Sequence, residues 1–217
     1  IYYNGFALQY KVSNKANHVI LLYMYEIEIK AHVLNRTELI KTLQPFADYA
    51  GAVERFDTYY GKEIHGKKVQ VRIRKQSSFT PSELPDAPQT EQQNQVIFTY
   101  KRKEVRTDGK HSLEVNDEQE CLLTDAVPFE TFLADTGFEQ ILTKHKTVID
   151  WHYNGVTLEL CTIEKLGDFL ELEIMSETND EKQVQQTNEK LLKILNRCGI
   201  SEDQIEKRYY SEMLNSL

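Results

Sequence analysis

The sequence predicts an α+β fold, an antiparallel β barrel of eight strands with a charged lumen and helices on its flanks, and three observations predict it. Charged residues recur at a spacing of two along successive segments, as Glu26, Glu28 and Lys30, then Arg72 and Arg74, Lys101 and Lys103, Lys144 and Lys146, and Glu171 and Glu173. Strand side chains alternate faces, so each set shares one face of its strand. The residues between them, among them Ile27, Ile29, Val71, Ile73, Leu170 and Leu172, are apolar and need cover. Strand patterns also dominate the middle of the chain and helix patterns its flanks, with no regular alternation and no Gly-rich strand-to-helix turn, which excludes a doubly wound sheet. Closing the sheet resolves the charge pattern: the charged faces line a water-filled lumen while the apolar positions pack outward under helices. Small barrels more often have apolar interiors. The inversion implies a charged ligand, because unpaired buried charge is costly.

In chain order, residues 25–34 read as the first strand. Asn35 followed by Glu38 resembles a capping box opening a helix through about Tyr49, with Pro45 kinking or shortening it. Strands follow near 53–60 and 68–75. Residues 76–95 carry three prolines among serines and glutamines without a hydrophobic period, so a mobile surface loop is expected there. Strands resume at 96–105 and 112–123, and a short helix over 125–136 stops at Gly137. Segments 139–153 and 156–163 form a hairpin about Asn154-Gly155, a pair suited to a type I′ turn, and 168–176 is the last strand. Leu191, Leu192, Ile194 and Leu195 give 179–198 an amphipathic helical period closed by Gly199. Ser201 with Gln204 opens another helix, and Tyr209 to Leu217 finishes the chain.

Met24 directly precedes the first charged strand. Residues 1–23 therefore read either as an N-terminal extension of upstream or artificially appended sequence or as a strand-rich segment that pairs with the body, ahead of a single domain over 24–217. The apolar run Val19–Met24 is too short to span a bilayer. The net charge is −8, with 34 acidic against 26 basic residues, which argues against nucleic-acid or anionic-membrane partners. Cys121, Cys161 and Cys198 are far apart, and His18, His32, His65, His111, His145 and His152 are scattered, so neither a disulfide framework nor a structural zinc site is expected. A reducing cytoplasm fits this composition.

The strand Glu26-Ile27-Glu28-Ile29-Lys30 resembles the signature of the CYTH superfamily, whose class IV adenylyl cyclases, thiamine triphosphatases and inorganic triphosphatases bind a triphosphate in an antiparallel β tunnel. Phe56-Asp57-Thr58-Tyr59-Tyr60, Val71-Arg72-Ile73-Arg74 and Thr99-Tyr100-Lys101 resemble successive strand motifs of the cyclase branch. Ile163 to Glu173 resembles its late turn and acidic strand, and Arg208 to Leu214 its C-terminal helix. The resemblance implies a metal-dependent enzyme, either an adenylate cyclase making cyclic AMP and pyrophosphate from ATP or a triphosphatase acting on inorganic, nucleoside or thiamine triphosphate. A non-catalytic nucleotide or polyphosphate sensor is the alternative from another class. A homodimer is compatible with it.

The residues suit that chemistry. Lys30, Arg72, Arg74 and Lys101 are the candidate catalytic groups, and they bind the triphosphate together with Lys103, Lys144, Lys146 and Tyr59. Arginines give bidentate phosphate contacts and lysines act as point charges. Carboxylates beside phosphates require a hard divalent cation between them, so Glu26, Glu28, Glu159, Glu171 and Glu173 read as Mg²⁺ or Mn²⁺ ligands. The pair Glu118 and Glu120 has the same spacing. Lys103, Arg106 and Lys110 equally fit a solvated edge, and Tyr59 equally fits a wall. One departure bears on the reaction: Cys161 stands where the cyclase branch carries an aspartate, and a thiol is a poor Mg²⁺ ligand. Glu159, two residues earlier on the same strand face, either replaces that acid or marks a site built for hydrolysis.

Overall fold

The computed structural model describes residues 25–88, 93–107, 112–178 and 180–217, with side chains in all of these except 101–107 and 112–118. The expected extension over 1–23 lies outside them, as do Lys110 and the side chains of Lys101, Lys103, Arg106 and Glu118. Eight strands are ordered along the chain as β1 (Tyr25–His32), β2 (Asp48–Ile64), β3 (Lys67–Ser78), β4 (Asn94–Thr107), β5 (Ser112–Leu123), β6 (Glu139–Tyr153), β7 (Val156–Ile163) and β8 (Gly167–Ser176). Their spatial order β1-β5-β4-β3-β2-β6-β7-β8 closes on itself, with β1 antiparallel to both β5 and β8. Helices α1 (Arg36–Leu43), α2 (Val127–Asp135), α3 (Glu181–Arg197) and α4 (Tyr210–Asn215) lie between and after the strands.

Local chemistry accounts for several element ends. Asn35 Oδ1 accepts from Glu38 N at 3.1 Å and starts α1, and Asp180 Oδ1 accepts from Gln183 N at 3.0 Å and starts α3, each satisfying a backbone donor that the first turn leaves open. Asn154 and Gly155 take φ of 51° and 72°, the two left-handed residues that a type I′ turn needs. Among the described residues no helix is long and apolar enough to cross a membrane.

Two expectations are corrected. The first helix ends at Leu43, before Pro45, and β2 begins at Asp48 and runs 17 residues. Register shifts at Tyr49/Gly51 and Tyr59/Tyr60 interrupt its alternation, so the sequence pattern reveals only the stretch between them. Over residues 79–88 the segment after β3 is not a loose surface excursion. Leu84 is buried, Phe79 and Ala87 pack on the same core, and Phe79 N donates to Ala52 O at 3.0 Å.

The main core lies outside the barrel. Ile27, Ile29, Leu158, Leu160, Leu170 and Leu172 pack with Leu39, Ile40 and Leu43 of α1 and with Leu191, Ile194 and Leu195 of α3. Val71 and Ile73 pack near Leu133 of α2. Each such side chain contributes roughly 1.5–3 kcal/mol on burial, so this layer holds the sheet in register and leaves the alternate positions facing inward. Inside, Val148, Cys161, Ile163 and Phe169 meet Met213 of α4. The chain entering α4 is fixed by Glu206 N donating to Lys30 O at 2.9 Å.

Candidate anion and metal site in the barrel lumen

Strand register brings three cations onto one carboxylate. Asp57 on β2 stands opposite Arg74 on β3 and Lys144 on β6. Its buried carboxylate accepts from Arg74 Nε at 2.7 Å and Nη2 at 3.1 Å, with Lys144 Nζ at 3.2 Å and Arg72 Nη1 at 3.9 Å. Burial pushes the Asp57 carboxyl up, but Arg74, Lys144 and Arg72 outweigh it and hold the group well below the usual carboxylate range. Arg72 Nη2 also donates to Thr99 Oγ1 at 2.9 Å and to Glu120 Oε1 at 3.1 Å. Tyr59, the next inward residue of β2, lies under Lys144, whose Nζ is 5.7 Å from the ring centroid.

A second network joins β3, β2, β7, β6 and β8. Arg55 Nε donates to Gln76 Oε1 at 3.0 Å, and its Nη1 reaches both oxygens of Glu159 at 2.9 Å. Lys146 Nζ donates to Glu159 Oε2 at 2.8 Å and also to Glu171 Oε2. Cys161 adjoins this network, and one ligand atom each from Glu159, Cys161 and Glu171 lie within 4.8 Å of one another. Burial raises the Cys161 thiol well above its ordinary value, with Glu171 adding to the effect. Asp150 stands opposite Glu159, and its Oδ1 is buried without a hydrogen-bond partner. Burial and Glu159 push its pKa up to about 7 against the opposing pull of Arg55 and Lys146.

The third group is acidic. Glu173 stands opposite Glu28 in the β1/β8 register. Burial, then the carboxylates of Glu26, Glu159 and Glu28, raise the Glu173 carboxyl well above its ordinary value. Lys30, opposite Glu171, is buried and points its Nζ at Tyr210, 5.4 Å from the ring centroid. Tyr210 also receives Lys144 at 5.3 Å and meets Phe169 edge-on at 5.1 Å.

The lumen thus gathers Lys30, Tyr59, Arg72, Arg74, Lys144, Lys146, Glu26, Glu28, Glu159, Glu171 and Glu173. Four members escaped the sequence reading as site residues: Arg55, Asp57, Asp150 and Tyr210. The signal for three of them was the same spacing of two, since Arg55, Asp57 and Tyr59 share the inward face of β2 and Asp150 continues the series from Lys144 and Lys146. Glu159, read as a replacement metal ligand, is engaged here by Arg55 and Lys146.

The architecture is thus a closed antiparallel β barrel with cations gathered on one wall of its lumen and carboxylates crowded on another. The family model of the CYTH domain matches residues 24–210, and the chain belongs to that family. Among solved structures it is similar to the PH1819 protein from Pyrococcus horikoshii, 25% identical over 88% of this chain and 98% of the other with a TM-score of 0.68. A protein of Vibrio parahaemolyticus described as a putative adenylate cyclase is 17% identical, over 88% and 98% of the two chains, with a TM-score of 0.61. A putative adenylyl cyclase from Hippeastrum, described as revealing a dominant triphosphatase activity, is 14% identical over 89% and 95% with a TM-score of 0.54. The latter two likenesses speak to the fold alone. No curated protein matches the chain.

Proposed function

We propose that this chain is a metal-dependent enzyme that converts a triphosphate held in the lumen. The gathering of Arg72, Arg74 and Lys144 around Asp57 carries this reading. Three cations sharing Asp57, with Glu120 as a further partner of Arg72, still form a receptor with positive charge in excess, and a triphosphate brings about four negative charges near neutral pH. Arg72 and Arg74 grip phosphate oxygens through paired donors, Lys144 and Lys30 add point charges, and the apolar end closed by α4 excludes water. Glu26, Glu28 and Glu173 fit Mg²⁺ or Mn²⁺, because they offer only hard oxygen donors and the crowding that raises the Glu173 carboxyl is relieved by a divalent charge. When bound, such an ion neutralises the charge between these carboxylates and the phosphate oxygens.

Two reactions suit this arrangement. In cyclisation the ATP 3′-hydroxyl attacks the α-phosphorus and pyrophosphate leaves, which is what the likeness to class IV cyclases suggests. Hydrolysis of inorganic, nucleoside or thiamine triphosphate is favoured by one observation. Cys161 is fully buried beside Val148 and Phe169, and Glu159 is tied to Arg55 and Lys146, so neither offers the open carboxylate expected in a cyclase.

Incubation with Mg²⁺ and each of ATP, inorganic triphosphate and thiamine triphosphate, followed by product identification, is the test. Orthophosphate without cyclic AMP supports hydrolysis, and cyclic AMP with pyrophosphate supports cyclisation. Tight binding without turnover of any of them overturns the enzyme reading in favour of a sensor.

A further inference from the structure

We propose that Glu120, acting through Thr99 as well as directly, is the positioning residue for Arg72 and sets the guanidinium that receives the triphosphate. The inference rests on the triphosphate reading above and deepens it. It assigns Glu120, whose spacing from Glu118 matches that of the candidate metal ligands, to an arginine instead of an ion.

Register builds the arrangement. Arg72 on β3 stands opposite Thr99 on β4, and Thr99 stands opposite Glu120 on β5, so the three side chains form one cross-strand row. Thr99 is 1% exposed, and the side chains of Arg72 and Glu120 are 13% and 10% exposed. Thr99 Oγ1 donates to Glu120 Oε1 at 2.6 Å and accepts from Arg72 Nη2 at 2.9 Å, while Nη2 also donates to the same Oε1 at 3.1 Å. The direction of this triangle is forced. An ionised carboxylate only accepts and a guanidinium only donates, so the hydroxyl proton faces Glu120 and its lone pair faces Arg72.

The arginines of the lumen draw their carboxylates from different places. Arg74 is gripped by Asp57 on the adjacent strand, and Arg55 by Glu159. Arg72 reaches past β4 to Glu120, while its Nη1 lies 3.9 Å from Asp57 Oδ2. Its guanidinium is thus drawn from two sides, and the bond toward β5 is the shorter. A long arginine side chain loses rotamer freedom when it grips a phosphate, and fixing it beforehand removes that loss from binding. Glu120 is itself negative and repels the ligand. With Arg72 beside it the pair is close to neutral and positioning dominates; without Arg72 only the repulsion is left.

The test is calorimetric titration of the full chain with the imido analogue of inorganic triphosphate, which resists hydrolysis, with and without Mn²⁺. Each variant is made in the wild type and in an Arg72→Ala background. Glu120→Ala should weaken binding about fivefold in the wild type and leave it unchanged or tighter where Arg72 is absent. Thr99→Val keeps shape and charge and should weaken binding only where Arg72 is present; it decides the matter if Glu120→Ala does not fold. Equal weakening in both backgrounds overturns the proposal, because a purely structural role does not depend on Arg72. Tighter binding by Glu120→Ala in the wild type does the same, since Glu120 then only opposes the ligand. Loss of Mn²⁺ binding in that variant, read from the electron paramagnetic resonance signal of free Mn²⁺, makes Glu120 a metal ligand and also overturns it. A wild type that binds the analogue under neither condition overturns the triphosphate reading as well.

Discussion

On the β2–β3–β6 wall of the lumen a single carboxylate, Asp57, is shared by Arg72, Arg74 and Lys144, whereas toward the β7–β8–β1 wall Glu159 accepts from Arg55 and Lys146, Lys146 also donates to Glu171, and Asp150 and Glu173 are close by. Both walls bury charge to a similar depth. They differ in which sign is in excess, and the carboxyl groups report it: Asp57 is held well below the usual range, while Glu173 is raised and Asp150 reaches about 7. A wall with cations in excess is completed by an anionic ligand, and one with carboxylates in excess by a cation. Under the proposed function, the two halves of a metal–triphosphate complex would bind on different strands.

Asp57→Asn should have the largest effect, because it leaves three largely buried cations without their shared counter-ion. Breaking a buried charge cluster in this way costs about 3–5 kcal/mol, read as a lowered urea midpoint. Saturating inorganic triphosphate should restore part of the loss, since the ligand supplies the missing negative charge. Glu159→Gln should destabilise as well, and triphosphate should not rescue it. Equal rescue of both variants would abolish the distinction between the walls. In affinity, Arg72→Ala and Arg74→Ala should each weaken a non-hydrolysable triphosphate by about tenfold or more in calorimetry, and unchanged binding in both would put these arginines outside the site.

The walls should also respond oppositely to pH. Asp57 has a depressed pKa in the folded chain, so its contribution is present above the unfolded carboxylate value and is lost only as pH falls through the folded one. Asp150 is raised from 3.8 to about 7, so the folded chain binds the extra proton. Its contribution is complete below the unfolded value and disappears as pH rises through about 7. Between pH 5.5 and 8 only the acidic wall should change, and the metal-free chain should lose stability over that interval by on the order of 1 kcal/mol. Asp150→Asn should flatten this slope. The same slope in the variant would assign it to another group.

How far the sequence exposed this comparison depends on what each feature requires. The inward face of each strand was legible because alternation is a property of one strand, and Glu26-Ile27-Glu28-Ile29-Lys30 states it outright. Closure was legible because so many charged faces need one shared interior. The pairing of Asp57 with Arg74 and Lys144 was not, since it depends on two registers at once. Nor was the capture of Glu159 by Arg55, which reaches across from β2 to β7 and depends on barrel curvature. The length of β2 was hidden by its two register shifts. The 76–95 segment lacks a period, yet Leu84 finds the core through turn geometry that no periodicity encodes.

The smallest expected effect lies where the walls meet. Tyr210 on α4 sits within cation–π range of Lys30 from one wall and Lys144 from the other, and its edge meets Phe169 on β8. Its hydroxyl is buried beside the Glu171 carboxylate without a well-aligned hydrogen bond, and burial with that carboxylate raises the phenol well above its ordinary value. The ring therefore does the stabilising, through cation–π contacts of about 0.5–2 kcal/mol each, while the oxygen costs desolvation without return. Tyr210→Phe keeps the ring and removes the oxygen, so thermal stability should be unchanged or rise by up to about 1 kcal/mol. Tyr210→Leu removes the ring face and should destabilise, loosening the end of the lumen that both walls share. If Tyr210→Phe instead loses more than about 1 kcal/mol, the hydroxyl is bonded in solution, and α4 is held to the acidic wall by that bond in addition to its ring contacts.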